Sequence, residues 1–212
     1  MNDTTPEMRV TARQTQRDAR VIGIVLAAGR ATRMAGSKVV RPVRGQPMVE
    51  RVVDAALESR LADTVVVVGH EADRVREVLR GRPIRIVANP SFADGLSTSV
   101  RAALEGVGPN YAAALFLLAD QPFMTSALID RLLEAFAATG KPIVCPDLGG
   151  RPGNPVLFSA TLFPELLRET GDRGGRRVIR RHQREVCLVA IDDPLVCLDI
   201  DSVEEYERMR RA

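Results

Sequence analysis

The residues best placed to do chemistry lie in the segment LAAGRATRMAGSK, residues 26–38. Ala27, Ala28, Ala31 and Ala35, with Gly29 and Gly36, are small enough to let backbone N–H groups approach an anion. Arg30, Arg33 and Lys38 bring cations to the same loop, so its composition suits a phosphate cradle. It fits neither GxxxxGK[ST] nor GxGxxG, which sets aside a Walker loop and a dinucleotide fingerprint. An ordinary basic surface loop would have a similar composition, and the acidic residues elsewhere weigh against that reading. Asp120 ends the apolar run AALFLLAD, and Asp199-Ile200-Asp201 follows LVCL. Two carboxylates brought beside a polyphosphate suit Mg²⁺, which takes oxygen ligands and shares them with substrate phosphates. Read alone, Asp120 could equally cap a helix at 126–138.

These residues need elements to position them. VIGIVLA from Val21 is a short, nearly continuous apolar run rich in β-branched residues, as expected of a strand buried on both faces. Similar runs recur at 64–69, 84–88 and 113–120, with a weaker one at 141–146 and another around EVCLVAI. Helical spacing lies between them, in Val49, Val52, Val53, Ala56 and Leu57, in Val75, Val78 and Leu79, and in Leu128, Leu132, Leu133 and Phe136. Strand and helix alternate, which predicts an α/β, doubly wound, mostly parallel Rossmann-like sheet with helices on both faces. In such a sheet ligands bind beyond the carboxyl ends of the strands, where the loop at 26–38 and Asp120 both fall. A helix is expected near 161–169 and another over SVEEYERMRR, with Ser202 as N-cap, acidic residues in its first turn and arginines in its last. Residues 1–20 read as a flexible extension and 21–212 as a single domain.

Composition narrows the function. The chain has 212 residues, 30 basic and 27 acidic, and a net charge of +3 with the signs interspersed. That balance argues against a dedicated nucleic-acid or polybasic membrane binder. Only 4% of the residues are aromatic, which leaves few platforms for stacking single-stranded bases. Cys145, Cys187 and Cys197 lack metal-ligand spacing and read as buried, inert thiols of a cytoplasmic protein. His70 and His182 stand far apart in sequence, so no zinc site follows, and His70, after the second strand, reads as a cap or hydrogen-bonded neighbour outside the catalytic set. No run approaches the roughly 18 apolar residues of a membrane span, and the first 20 residues hold no secretory h-region. Lysine is scarce: Lys38 and Lys141 are the two in the chain.

Taken in order, LAAGRATRMAGSK, NPSFADGLSTSV, LLADQPFMT, GRPGNPVLF, GDRGGRR and DIDSVEEYE resemble the molybdenum cofactor cytidylyltransferases of the MobA-like nucleotidyltransferase superfamily. The resemblance spans about residues 21–210. It implies a Mg²⁺-dependent transfer of CMP from CTP to the phosphate of molybdopterin or its molybdenum form, with release of pyrophosphate. By the same resemblance the loop Leu26, Ala27, Ala28 and Gly29 holds the nucleotide, Arg33 and Lys38 contact the triphosphate, and Ser97 and Ser99 lie near base and ribose. Asp120 and Asp201 are the implied metal ligands. Arg151, Asn154, Asp172 and Arg176 fall in motifs of the acceptor side. The LAAG form accompanies pyrimidine nucleotides in this superfamily, and a molybdoenzyme is the implied recipient of the product. The chain departs from the usual pattern at Ala31 and Ala35, where serine and glycine are usual, and at Arg41 and Arg44, where the family is more apolar. The rival readings are transfer to another phosphorylated acceptor such as a sugar or polyol phosphate, a non-catalytic molybdenum cofactor carrier, and an NAD-linked oxidoreductase.

Overall fold

The computed structural model describes residues 20–29 and 38–210. The run VIGIVLA forms β1, Val21–Ala27, with all seven residues buried. Its side chains alternate between two apolar layers, as the strand period requires. Val25 and Ala27 pack in one layer with Val66, Leu115 and Leu117, while Ile22, Ile24 and Leu26 pack in the other with Val65, Val67 and Phe116. The first layer is covered by helices α1 (Met48–Leu57), α2 (Ala72–Val78) and α4 (Ser126–Thr139). The second is covered by α3 (Leu96–Val107), α5 (Phe163–Arg168) and α6 (Arg176–Arg181). Helices thus lie on both faces, as the alternation of runs predicts.

The strands are β4 (Asp63–Val68), β5 (Arg85–Ala88), β6 (Ala113–Leu118), β7 (Ile143–Pro146), β8 (Val156–Ser159) and β9 (Val186–Val189). With β1 they form a seven-stranded sheet in the order β5-β4-β1-β6-β8-β7-β9. The pairs β1–β4, β1–β6, β4–β5 and β7–β9 are parallel, and β8 runs antiparallel to both neighbours. β8 is the strand that sequence reading does not find. Its VLFS is too short to show a period and comes directly after the GRPGNP turn. The chain passes from β1 to β4 on one side and later places β6 on the other. That reversal opens a crevice beyond the carboxyl ends of β1 and β6.

A two-stranded hairpin, β2 (Pro42–Val43) and β3 (Gln46–Pro47), turns at Arg44-Gly45 with positive φ at both residues, +53° and +80°. This is the turn geometry that matches strand twist. Arg41 and Arg44 do not enter the core despite standing at usually apolar positions. Their guanidinium groups lie 5.5 Å from the Tyr206 ring centre and 5.1 Å from that of Phe123. There they cover a third apolar cluster of Val43, Met48, Phe123, Ile200 and Tyr206. The last helix, α7 (Val203–Met209), starts with a capping box between Ser202 and Glu205, as expected for its N-cap. Of the extension expected over 1–20, only Arg20 lies among the described residues; it reaches Asp63 at 2.9 Å. Among the described residues no helix is long and apolar enough to cross a membrane.

Candidate active site

Lys38 opens a one-turn 3₁₀ helix, Lys38–Val40, beside the end of β1. Its Nζ donates to Asp120 Oδ2 and to Asp201 Oδ1, both at 2.7 Å. The lysine side chain is only 12% exposed, against 52% for Asp201. Burial works to lower the lysine pKa. The charge of Asp120 and the hydrogen bonds to Asp120 and Asp201 outweigh it and hold the ammonium above its ordinary value. A compact ammonium therefore sits where Asp120, just past β6, and Asp201 of the C-terminal segment meet.

Asp120 is not a helix cap. The N-cap of α4 is Thr125, whose side chain accepts from the Leu128 N–H. Asp120 and Gln121 instead form a strap between distant parts of the chain. The Ile200 N–H donates to the Asp120 carbonyl at 3.0 Å. Gln121, 1% exposed, donates from Nε2 to the Cys197 carbonyl at 2.9 Å and to Asp199 Oδ1 at 2.6 Å. Glu205 accepts from the Asp201 and Ser202 N–H groups, at 2.8 and 3.0 Å, which fixes the backbone that carries Asp201. Asp199 is engaged by Gln121 and takes no hydrogen bond from Lys38 among the described residues. Burial, followed by the charge of Asp120, pushes its carboxyl up to about 6.

Asp120 Oδ1 is buried and has no hydrogen-bond partner among the described residues. With Asp201 it offers an oxygen donor set that fits a hard divalent ion. Among the described residues no group of three or more His, Cys, Asp or Glu side chains converges on one point. An ion held by Asp120 and Asp201 would complete its shell with ligand or solvent oxygens, which is how Mg²⁺ is usually bound beside phosphates.

A cavity of about 530 Å³ opens in front of this cluster. Leu26, Ala27, Ala28, Gly29, Lys38, Ser99, Asp120 and Asp172 all line it, so residues expected on the nucleotide, metal and acceptor sides meet at one place. Gly95 fits Asp172 to the wall. Its φ is +106°, and a Cβ there would lie 2.5 Å from the Gly171 carbonyl carbon and 2.7 Å from Asp172 Oδ1. Ser97 is buried but lines a second cavity on another side of α3, together with Thr98 and Arg101. Asn154 and Arg176 line an apolar cleft with Phe116 and Phe158 that shares Leu26, Leu96 and Leu118 with the main cavity. Arg151 is exposed on the loop at 147–153, where its carbonyl accepts from Leu148 N–H at 2.9 Å, and it lines none of these three spaces. Arg33 lies outside the described residues, as do Ala31 and Ala35.

Sequence reading missed Gln121, which holds Asp199 and the Cys197 carbonyl beside the Lys38 cluster. It directly succeeds the expected metal ligand, in a motif that carries the resemblance. His182 has a structural place instead of a catalytic one. Its ring nitrogens lie 3.0 Å from Glu185 Oε1 and 2.9 Å from Glu165 Oε1, and the bonds to Glu185 and then Glu165 raise its pKa from 6.5. A raised histidine pKa adds stability that is fully present below the unfolded value and fades as pH climbs through the folded one. His182→Ala is therefore expected to lower the melting temperature at pH 6, and to lower it less at pH 9. Equal losses at both pH values would show that the ion pairs contribute nothing.

Most of the chain matches known proteins. Residues 23–186 match the MobA-like NTP transferase domain. The chain is 29% identical over 201 residues to nicotine blue oxidoreductase of Paenarthrobacter nicotinovorans, an overlap of 89% of this chain and 96% of that protein. It is 29% identical over 206 residues to the purine catabolism protein PucB of Bacillus subtilis, covering 91% and 97% of the two. Among solved structures, Rv0371c of Mycobacterium tuberculosis superimposes with a TM-score of 0.81 at 28% identity, over 92% of this chain and 99% of that one. A structure of Rv0371c in complex with manganese superimposes at 0.77, with 27% identity over 91% and 99%.

Proposed function

Because the chain belongs to the MobA-like NTP transferase family, and so to the nucleotidyltransferases, we propose that it transfers CMP from CTP to the phosphate of molybdopterin or its molybdenum form. The observation that carries this reading is Lys38 held between Asp120 and Asp201 in the wall of the cavity beyond the ends of β1 and β6.

In the proposed step an acceptor phosphate oxygen attacks the α-phosphorus of CTP and a new P–O bond forms. The bond from the α-phosphorus to the oxygen bridging it to the β-phosphorus breaks, and its electron pair leaves with pyrophosphate. The acceptor phosphate is already ionised near neutral pH, so the step needs no general base, and positioning with charge neutralisation suffices. Lys38 neutralises charge that builds on the α-phosphoryl oxygens and the leaving group. Ala28 and Gly29 line the same cavity just past β1, and their backbone would orient the triphosphate, with Arg33 as a further contact. Asp120 and Asp201 would hold Mg²⁺ or Mn²⁺. When bound, that ion supplies Lewis-acid polarisation of the phosphate oxygens.

The neighbouring cleft bears on the acceptor. Among its lining side chains Asn154 and Arg176 are the polar ones, and Leu26, Val100, Phe116, Leu118 and Phe158 are apolar. In this reading Arg176 and Asp172 stand at the acceptor side, with a molybdoenzyme downstream. Ser99 remains a candidate ribose contact, while Ser97 and Arg151 would act only after a change of position.

The test is pyrophosphate release with Mg²⁺ or Mn²⁺, each of the four nucleoside triphosphates, and molybdenum cofactor against a panel of simple phosphates. Release with CTP and molybdenum cofactor is expected. Release only with GTP overturns the base assignment, and nucleotide binding without release favours a carrier. Oxidation of NADH in the same preparations would favour the NAD-linked oxidoreductase reading; an oxidoreductase is what the P. nicotinovorans relative is called.

A further inference from the structure

The C-terminal segment brings two carboxylates to the neighbourhood of Lys38, and among the described residues only one of them hydrogen-bonds to it. Asp199 and Asp201 flank Ile200, which is fully buried in the third apolar cluster. Asp201 accepts from Lys38 and Asp199 accepts from Gln121. Asp199 is nonetheless close enough to feel the same ammonium. After burial, which raises its pKa most, Asp120 and Asp201 raise it further and Lys38 lowers it. An ammonium has three N–H donors, and Asp120 and Asp201 take two of them. A shortage of donors therefore does not keep Asp199 away.

We infer that Gln121 is a positioning residue that selects between the two: by holding Asp199 it leaves Asp201 as the partner of Lys38 and of the divalent ion. The part concerning Lys38 stands by itself, and the part concerning the ion rests on the metal site of the proposed function. The turn that carries Gln121 is fixed by its own backbone. The Gln121 N–H donates to the Leu118 carbonyl at 3.2 Å, and its carbonyl accepts from the Met124 N–H at 3.1 Å. Arg51 Nε donates to the Pro122 carbonyl at 2.7 Å. The segment opposite is fixed as well, by Ile200 N–H on the Asp120 carbonyl and by Asp201 N–H on Glu205. With both backbones held in these ways, what the Gln121 side chain adds is the direction of one carboxylate.

The amide itself has one orientation open to it. Nε2 directs its N–H bonds at the Cys197 carbonyl and at Asp199 Oδ1. Turned over, the amide would set Oε1 against a carbonyl and a carboxylate, acceptor against acceptor. In the orientation present, Oε1 is buried and has no hydrogen-bond partner among the described residues. An unpaired buried oxygen lowers stability, so the side chain at this position is fitted to its two donors and not to packing alone. A methionine of about the same length would fill the space without the unpaired oxygen and would leave Asp199 unheld.

Lys38 and Lys141 are the two lysines of the chain, so selective ¹⁵N labelling of the lysine ammonium groups gives a spectrum of two signals. In the wild-type background Asp201→Asn should shift the Lys38 signal, and Asp199→Asn should leave it near its place. In Gln121→Met, Asp199 is released toward the ammonium, and Asp199→Asn should now shift that signal. Mn²⁺ binding followed by electron paramagnetic resonance should show the same exchange. Asp199→Asn is expected to change Mn²⁺ affinity by less than about twofold in the wild-type background and to lower it about tenfold in Gln121→Met, a coupling of the size found between neighbouring groups. A residue that merely supported the fold would weaken binding without making Asp199 count. Melting curves check that each variant folds, and Gln121→Asn, which draws the amide back by one methylene, carries the test if Gln121→Met does not fold. An Asp199→Asn effect on the Lys38 signal that is equal in the two backgrounds overturns the inference while the metal site stands. If the wild-type chain binds no Mn²⁺, the metal site of the proposed function falls, and the ammonium spectrum decides the role of Gln121 toward Lys38.

Discussion

Lys38→Ala is expected to lower turnover by about a thousandfold while far-UV circular dichroism stays unchanged. The lysine supplies the positive charge at the point where Asp120 and Asp201 meet, 82 and 163 residues away in the chain. Its loss leaves the charge of the leaving pyrophosphate unmatched on that side. Lys38→Arg should not restore turnover, because a planar guanidinium cannot take the compact position between two carboxylates that each accept at 2.7 Å. The alanine variant also leaves Asp120 without its cation. Adding Mg²⁺ should therefore raise its melting temperature more than it raises that of the wild-type chain, since an ion binding the folded state replaces the lost charge. A fully active Lys38→Ala enzyme would remove the lysine from the mechanism.

Asp120→Asn is expected to have an effect of similar size by a different route. Asp120 Oδ2 holds Lys38, and Oδ1 is buried and unpartnered among the described residues. The amide offers one neutral oxygen and one NH₂ group, so either Lys38 or the ion faces a donor where it needs an acceptor. Turnover should fall about a thousandfold, and Mn²⁺ binding followed by electron paramagnetic resonance should weaken at least roughly tenfold. Asp201→Asn should cost less, since that carboxylate is about half exposed and water can take its place. Unchanged Mn²⁺ affinity in Asp120→Asn would exclude this residue as a ligand.

Both residues are legible without the fold, for a physical reason. Lys38 closes a small-residue loop after an apolar run, and Asp120 ends another such run. In a parallel sheet those positions lie at one edge. β1 and β6 show in the sequence because strands covered on both faces read as continuous apolar runs. β8 does not, since a four-residue antiparallel strand has neither a long run nor a clean alternation. Ser97 and Ser99 stand together in one motif, yet residues two apart on a helix face different ways. Which of them reaches the main cavity depends on how α3 is rotated against the sheet, and Val100, Ala103 and Val107 set that by packing into the second layer. The Gln121 strap is hidden because its partners, Cys197 and Asp199, lie 76 and 78 residues downstream.

Sequence alone determined the local features: the period of each element, the capping of α7, the small residues of the loop, and the charges available at strand ends. These arise from backbone geometry and side-chain type within a few residues. Tertiary structure decided what meets what. It placed Asp201 against Lys38 and kept Asp199 turned toward Gln121. Such contacts depend on strand order and on the burial of whole faces, to which every segment contributes, so no single stretch of sequence encodes them.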